Sequence, residues 1–145
     1  MVQLRHAGIY VSDMNKMVKF YTDVFNMHKI CENVIQKDSL IEELLGSGSV
    51  LITKLITDYG KITGSGDMLE LIYFFDAKNV EDKFIYDQSV VHICFSVENI
   101  KYVVDQLKKS SGKQCTDIHE MSNGNKCCFC KDPEGNWLEL IERAR

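Results

Sequence analysis

Apolar and polar residues alternate from Leu4 to Val11, with Ala7, Ile9 and Val11 on one side, a period of two that predicts a β-strand. The period then lengthens. Asp13 stands where a helix cap belongs, and Met14, Met17, Val18, Tyr21 and Phe25 recur at helical spacing. The same succession returns in the second half. Val91 to Val97 alternates with Ile93, Phe95 and Val97 on one side, Asn99 takes the cap position, and Ile100, Val103, Val104 and Leu107 form the apolar stripe. Asn26 and Gly112 follow the two helices, and both residue types tolerate the left-handed backbone that ends a helix.

Strand-like runs follow each helix: about 27–36, 49–57 and 68–75 in the first half, and about 115–121, 126–131 and 137–142 in the second. Thr63-Gly-Ser-Gly-Asp67 and Asp132-Pro-Glu-Gly-Asn136 carry turn chemistry, the latter with the only proline of the chain. Ser39 to Leu45 reads as a short helical insert peculiar to the first half. The stretch from Asp76 to Ser89 is polar, without periodicity, and reads as a connector. The expected fold is therefore α+β: a single domain over 1–145 built from two βαβββ modules, about 1–75 and 90–145, joined by 76–89.

Strand parity picks out four residues from this repeat. His6 and His92 each open a first strand out of phase with the residues that face the helix. Glu70 lies with Met68, Ile72 and Phe74, away from Leu69, Leu71 and Tyr73, and Glu139 lies with Trp137 and Ile141. A carboxylate among large apolar neighbours costs several kcal/mol unless a cation or hydrogen bonds compensate. Two histidines and two glutamates at matching points thus predict a joint site for one divalent metal ion, with His6, Glu70, His92 and Glu139 as ligands. A mixed nitrogen and carboxylate set suits Ni, Co, Zn, Mn or Fe without choosing among them. The pocket beside it is expected to be apolar and aromatic, lined by Tyr10, Met68, Ile72, Phe74, Trp137 and Cys94. His28 and His119 fall outside the matched positions and read as surface residues, and Glu42-Glu43 as a solvated helix face.

Composition narrows the function classes. With 145 residues the chain is long enough to bury a real core. Lys+Arg 17 against Asp+Glu 21 leaves a net charge of −4 and no basic run, which argues against a nucleic-acid partner. No apolar stretch approaches the roughly 20 residues that span a bilayer, and Met1 to His6 lacks a signal-peptide core, so a cytoplasmic protein without membrane association is expected. Six cysteines lack the paired spacing of a disulfide or zinc framework. Cys127 and Cys130 form a CxxC, but in a strand they point to opposite faces, so reduced thiols are expected.

The segments His6-Ala-Gly-Ile-Tyr-Val-Ser-Asp-Met14, Lys19-Phe-Tyr-Thr-Asp-Val-Phe-Asn-Met27, Val91-His-Ile-Cys-Phe-Ser-Val-Glu-Asn-Ile100 and Cys130-Lys-Asp-Pro-Glu-Gly-Asn-Trp-Leu-Glu-Leu-Ile-Glu142 together resemble the vicinal oxygen chelate superfamily, and within it the glyoxalase I-like proteins. The resemblance covers essentially the whole chain. It implies that each module curls into half a barrel, that the ion is octahedral with water in its open positions, and that the modules close within one chain or exchange in a homodimer.

It also implies a lyase or isomerase that moves a proton on a small substrate with vicinal oxygens, the charge of the enediolate developing on ligated atoms. Glu139 takes the place of the usual base, and Glu70 that of the steadier ligand. Glutathione-dependent members carry Arg and Asn four residues after the first and second ligands, where this chain has Tyr10 and Phe74. Neither pairs with a carboxylate as Arg does, so a glutathione adduct is not implied. The alternatives are a non-catalytic antibiotic-binding protein of the same superfamily and a methylmalonyl-CoA epimerase-like enzyme, the latter having Gln where Glu70 stands.

Overall fold

Asp13 accepts the backbone N–H of Lys16 at 3.0 Å and Asn99 that of Tyr102 at 3.0 Å, so the two long helices start at the residues that sequence suggested. A computed structural model describes residues 2–46, 48–64, 66–75, 84–86 and 90–144. The chain divides into two units, Met1–Asn79 and Val80–Arg145.

The first unit runs β1 (His6–Tyr10), α1 (Met14–Phe25), β2 (His28–Gln36), α2 (Ser39–Leu45), β3 (Val50–Ile56), α3 (Asp58–Thr63) and β4 (Met68–Phe74). Its sheet has the order β1-β4-β3-β2, with β1 parallel to β4 and the other pairs antiparallel. Leu55, Leu69 and Leu71 are fully buried, as are Met17, Phe20 and Tyr21 of α1, which packs on β4. Thr53 is buried with them and accepts the N–H of Asn33, where β2 bulges at a positive φ of 51°. This satisfies a hydroxyl that the core would otherwise strand.

The second unit runs β5 (His92–Val97), α4 (Ile100–Lys109), β6 (Lys113–Gln114), β7 (His119–Glu120), β8 (Lys126–Lys131) and β9 (Trp137–Glu142). The sheet order is β5-β9-β8-β6, and β7 also pairs with β8. Ile100 and Leu107 of α4 are buried, as are Leu138, Leu140, Cys128 and Cys130 of the sheet. Glu142 ties the helix to the sheet, accepting Ile100 N–H at 2.8 Å and Lys126 Nζ at 2.9 Å. Both units are βαβββ at heart, and the class is α+β.

The elements depart from the sequence pattern in three places. Of the expected strand over 115–121 only β7 forms, and β6 pairs with β8 just before it; between the two, Cys115 and Thr116 both donate backbone N–H to Phe129 O and spend two residues on one carbonyl. The helix α3 forms where the apolar pattern predicts no element, and Thr57 caps it by accepting Gly60 N–H at 3.0 Å. At the end of α4 the left-handed residue is Ser111, with φ 67°, rather than Gly112. Gly112 is needed for a different reason: a Cβ there would sit 2.7 Å from Leu107 Cγ. The connector over 76–89 lies outside the described residues apart from Phe84–Tyr86.

Candidate metal centre

Alternation places the site residues on the sheet faces opposite the long helices, and register decides which of them meet. In the first sheet His6 pairs with Met68 and Gly8 with Glu70 across the parallel strands β1 and β4. The second sheet repeats this, with His92 opposite Trp137 and Cys94 opposite Glu139 across β5 and β9. Each histidine thus stands one pleat from its glutamate on the same face. His6 Nε2 lies 3.4 Å from Glu70 Oε2, and His92 Nε2 lies 3.2 Å from Glu139 Oε2. The carboxylates are mostly covered, with side-chain exposures of 13% and 21%.

The donor chemistry of each pair fits a metal. Two ligands at about 2.0–2.2 Å from one ion and at right angles to each other are about 3 Å apart, close to the spacing of both pairs. Each unit supplies two such donors. Among the described residues no group of three or more His, Cys, Asp or Glu side chains gathers at one point.

The two glutamates have different neighbours on the other side. On β3, Lys54 is the direct partner of Glu70, and its Nζ lies 3.1 Å from Oε1. On β8 the matching place is held by Phe129, the direct partner of Glu139. Phe129 meets the His92 ring edge-on at 5.4 Å and that of Trp137 at 6.4 Å. Cys94 is a hydrogen-bond partner of Glu139; partial shielding from water and then that carboxylate push its thiol up to about 11. Partial desolvation, and after it Glu139, also raises the Cys127 thiol.

Sequence reasoning missed Lys54 and Phe129. Parity along β3 and β8 would have found them, since Ile52, Lys54 and Ile56 share a face, as do Cys127, Phe129 and Lys131. The residues expected to line the pocket fall on the site faces. Tyr10 is 68% exposed and touches the Phe74 ring edge-on at 4.9 Å. Ile72 and Phe74 pack against the buried cluster of Ile41, Val50 and Ile52, so the insert α2 covers that end of the sheet. Met68 is half-buried, and the Trp137 ring carries Lys131 Nζ at 4.6 Å. His28 contacts Asp58 Oδ1 at 2.5 Å, and that contact, with Asn26 beside it, lowers the Asp58 carboxyl. All six cysteines are free, and the Cys128 and Cys130 thiols touch at 3.8 Å in the core. No helix among the described residues is long and apolar enough to cross a membrane.

Known proteins share this arrangement of strands and helices. The chain is 27% identical to a lactoylglutathione lyase of Schizosaccharomyces pombe over 98% of its own length, yet it spans only 48% of that protein. It is 28% identical to a probable lactoylglutathione lyase of Synechocystis, covering 97% of this chain and 95% of the other. Among solved structures, a glyoxalase family protein from Bacillus cereus matches with a TM-score of 0.85 at 17% identity, covering 100% of this chain and 96% of that one. The glyoxalase I of Zea mays matches with a TM-score of 0.65 at 21% identity, and there the chain spans 45% of its partner's length. A family model matches residues 3–140, and the chain belongs to the Glyoxalase/Bleomycin resistance protein/Dioxygenase superfamily.

Proposed function

We propose that this chain is a metal-dependent lyase or isomerase of the glyoxalase I type, in which His6, Glu70, His92 and Glu139 hold one divalent ion and a proton is moved on a small substrate with vicinal oxygens. The observation that carries this reading is the repeated register: both sheets set a histidine within 3.4 Å of a mostly covered glutamate, at the same step of a parallel strand pair. Relatives named lactoylglutathione lyase support the same class of chemistry. On this reading both units make up a single functional domain, and the protein is a homodimer.

An ion bound by these ligands would supply a Lewis acid that polarises two neighbouring substrate oxygens. The remaining work falls to the side chains. Glu70 is held from two directions, by Lys54 at one oxygen and His6 at the other, and so stays in place. Glu139 has His92 and the Cys94 thiol beside it and Phe129 in place of a cation. It is the carboxylate suited to take the proton and return it. Phe129 and Trp137 give the Glu139 face an aromatic lining, and Tyr10 with Phe74 gives one to the Glu70 face.

Metal analysis of the purified protein tests this reading. The expected result is close to one divalent ion per site, lost on His6→Ala and on His92→Ala while the circular dichroism spectrum is kept. A folded protein that takes up no ion would overturn it. That outcome would favour sequestration of a flat aromatic molecule, which the exposed Tyr10 beside Phe74 could stack upon.

A further inference from the structure

Cross-strand register sets Gly8, Glu70, Lys54 and Cys31 in one row across the first sheet, on one face. Both flanks of that row are occupied by apolar packing. On one flank Ile41 of α2 buries Val50 and Ile52, with Ile72 and Phe74 against them. On the other, α3 brings Gly60 so close to Ile56 that a Cβ there would sit 2.8 Å from its Cγ1. Lys54 is therefore a cation on an otherwise apolar stretch, and the fold does not require it, since Phe129 fills the same place in the second unit.

The ammonium has three donors. One reaches Glu70 Oε1 at 3.1 Å, and the side chain is still 42% exposed, so the other two are open to a ligand. Gly8 leaves room alongside Glu70 where Cys94 occupies the equivalent place beside Glu139. An anion brought next to the Glu70 carboxylate would be repelled without a compensating cation, and Lys54 is that cation. Its Nζ lies within hydrogen-bond reach of Oε1 of the carboxylate whose Oε2 stands beside His6, so any anion it meets is adjacent to the chelated atoms and not on a remote arm.

We propose that Lys54 is a specificity-determining residue, selecting small 2-oxo acids, whose carboxylate supplies one of the two chelating oxygens and leaves its second anionic oxygen for the ammonium. This rests on the metal reading above, deepens it by naming a substrate class, and takes the place of an anion contact at Tyr10 or Phe74.

The test uses the full chain loaded with Co(II), as wild type, Lys54→Met and Lys54→Arg, followed by calorimetry and by the Co(II) absorption spectrum. Pyruvate is the carboxylate-bearing probe. Acetohydroxamate is the control, because its two neighbouring oxygens carry its bound charge and leave no further anionic oxygen. With each protein saturated with Co(II), Lys54→Met should weaken pyruvate at least about tenfold more than it weakens acetohydroxamate, and Lys54→Arg should restore most of the pyruvate affinity. Equal losses for both probes, no loss for either, or no pyruvate binding by the Co(II)-loaded wild type would overturn the proposal while leaving the metal reading intact. Failure of wild type to take up Co(II) would overturn both.

Discussion

Lys54 and Glu70 face each other across β3 and β4 with Nζ 3.1 Å from Oε1, whereas the glutamate at the same register step of the second sheet has Phe129 for its partner. The duplicated scaffold thus holds two carboxylates of one type in two electrostatic settings. Beside an ammonium a carboxylate is fixed and charge-balanced; beside an aromatic ring it depends on His92, Cys94 and whatever else binds. Separate duties for equivalent residues follow from that contrast.

The first expectation concerns proton transfer. Glu139→Gln should leave a folded protein whose solvent-deuterium exchange on 2-oxoaldehyde thiol adducts or 2-oxo acids falls by about a hundredfold or more, the usual contribution of a positioned base. Lys54→Met should not reproduce that loss on a substrate without a carboxylate. Undiminished exchange in Glu139→Gln would remove the role assigned to it.

Cys94 gives a pH-dependent prediction. Its thiol is pushed up to about 11 by partial shielding from water and by Glu139, so iodoacetamide should modify it slowly at pH 8, with the rate rising steeply above pH 10. The linked effect on stability has a definite sign. A thiol whose pKa is raised in the folded state contributes fully below the unfolded value near 9, and the contribution is lost as pH climbs toward 11. Mass spectrometry of the labelled peptide across pH 7–11 checks the first part, and denaturant midpoints over the same range check the second. Rapid labelling at pH 8 would contradict the placement of Cys94 against Glu139.

Gly112→Ala should cost about 1–3 kcal/mol, because the new Cβ would lie 2.7 Å from Cγ and 3.0 Å from O of the buried Leu107. Urea denaturation measures this directly. Adding Leu107→Ala should recover part of the Gly112→Ala loss, giving coupling in a double-mutant cycle, whereas strict additivity would show that the two do not collide.

Asp132 is 3% exposed and accepts hydrogen bonds from Glu134 N–H, Asn136 N–H and Asn136 Nδ2 at 2.8–3.0 Å. Asp132→Ala strands those donors at the turn that joins β8 to β9, the two strands that pair Phe129 with Glu139. A loss of about 1–3 kcal/mol in denaturant unfolding is expected, together with weaker metal uptake in a protein that still folds. Unchanged stability would mean that the turn is held by its backbone alone.

Much of this protein was legible in the order of its residues. Strict alternation from His6 to Val11 and from His92 to Val97 fixes which side chains share a face, since the strand period is two whatever the strand pairs with. Asp13 and Asn99 announce the helices because an N-cap bond is made within four residues of chain. The same locality made the matched His and Glu positions visible as a repeat.

Contacts between strands are a different matter. Nothing local to β3 says that Lys54 will stand opposite Glu70, nothing local to the 115–121 stretch says that Phe129 O will draw two N–H groups and shorten the strand, and nothing local to the end of α4 says that Ser111 will take the left-handed turn while Gly112 closes against Leu107. Register and close packing arise from segments far apart in sequence, each satisfying backbone hydrogen bonds and filling space against the other. The order of residues determined the two βαβββ units and the faces of their histidines and glutamates, while tertiary structure alone decided that one glutamate would meet a lysine and the other a phenylalanine.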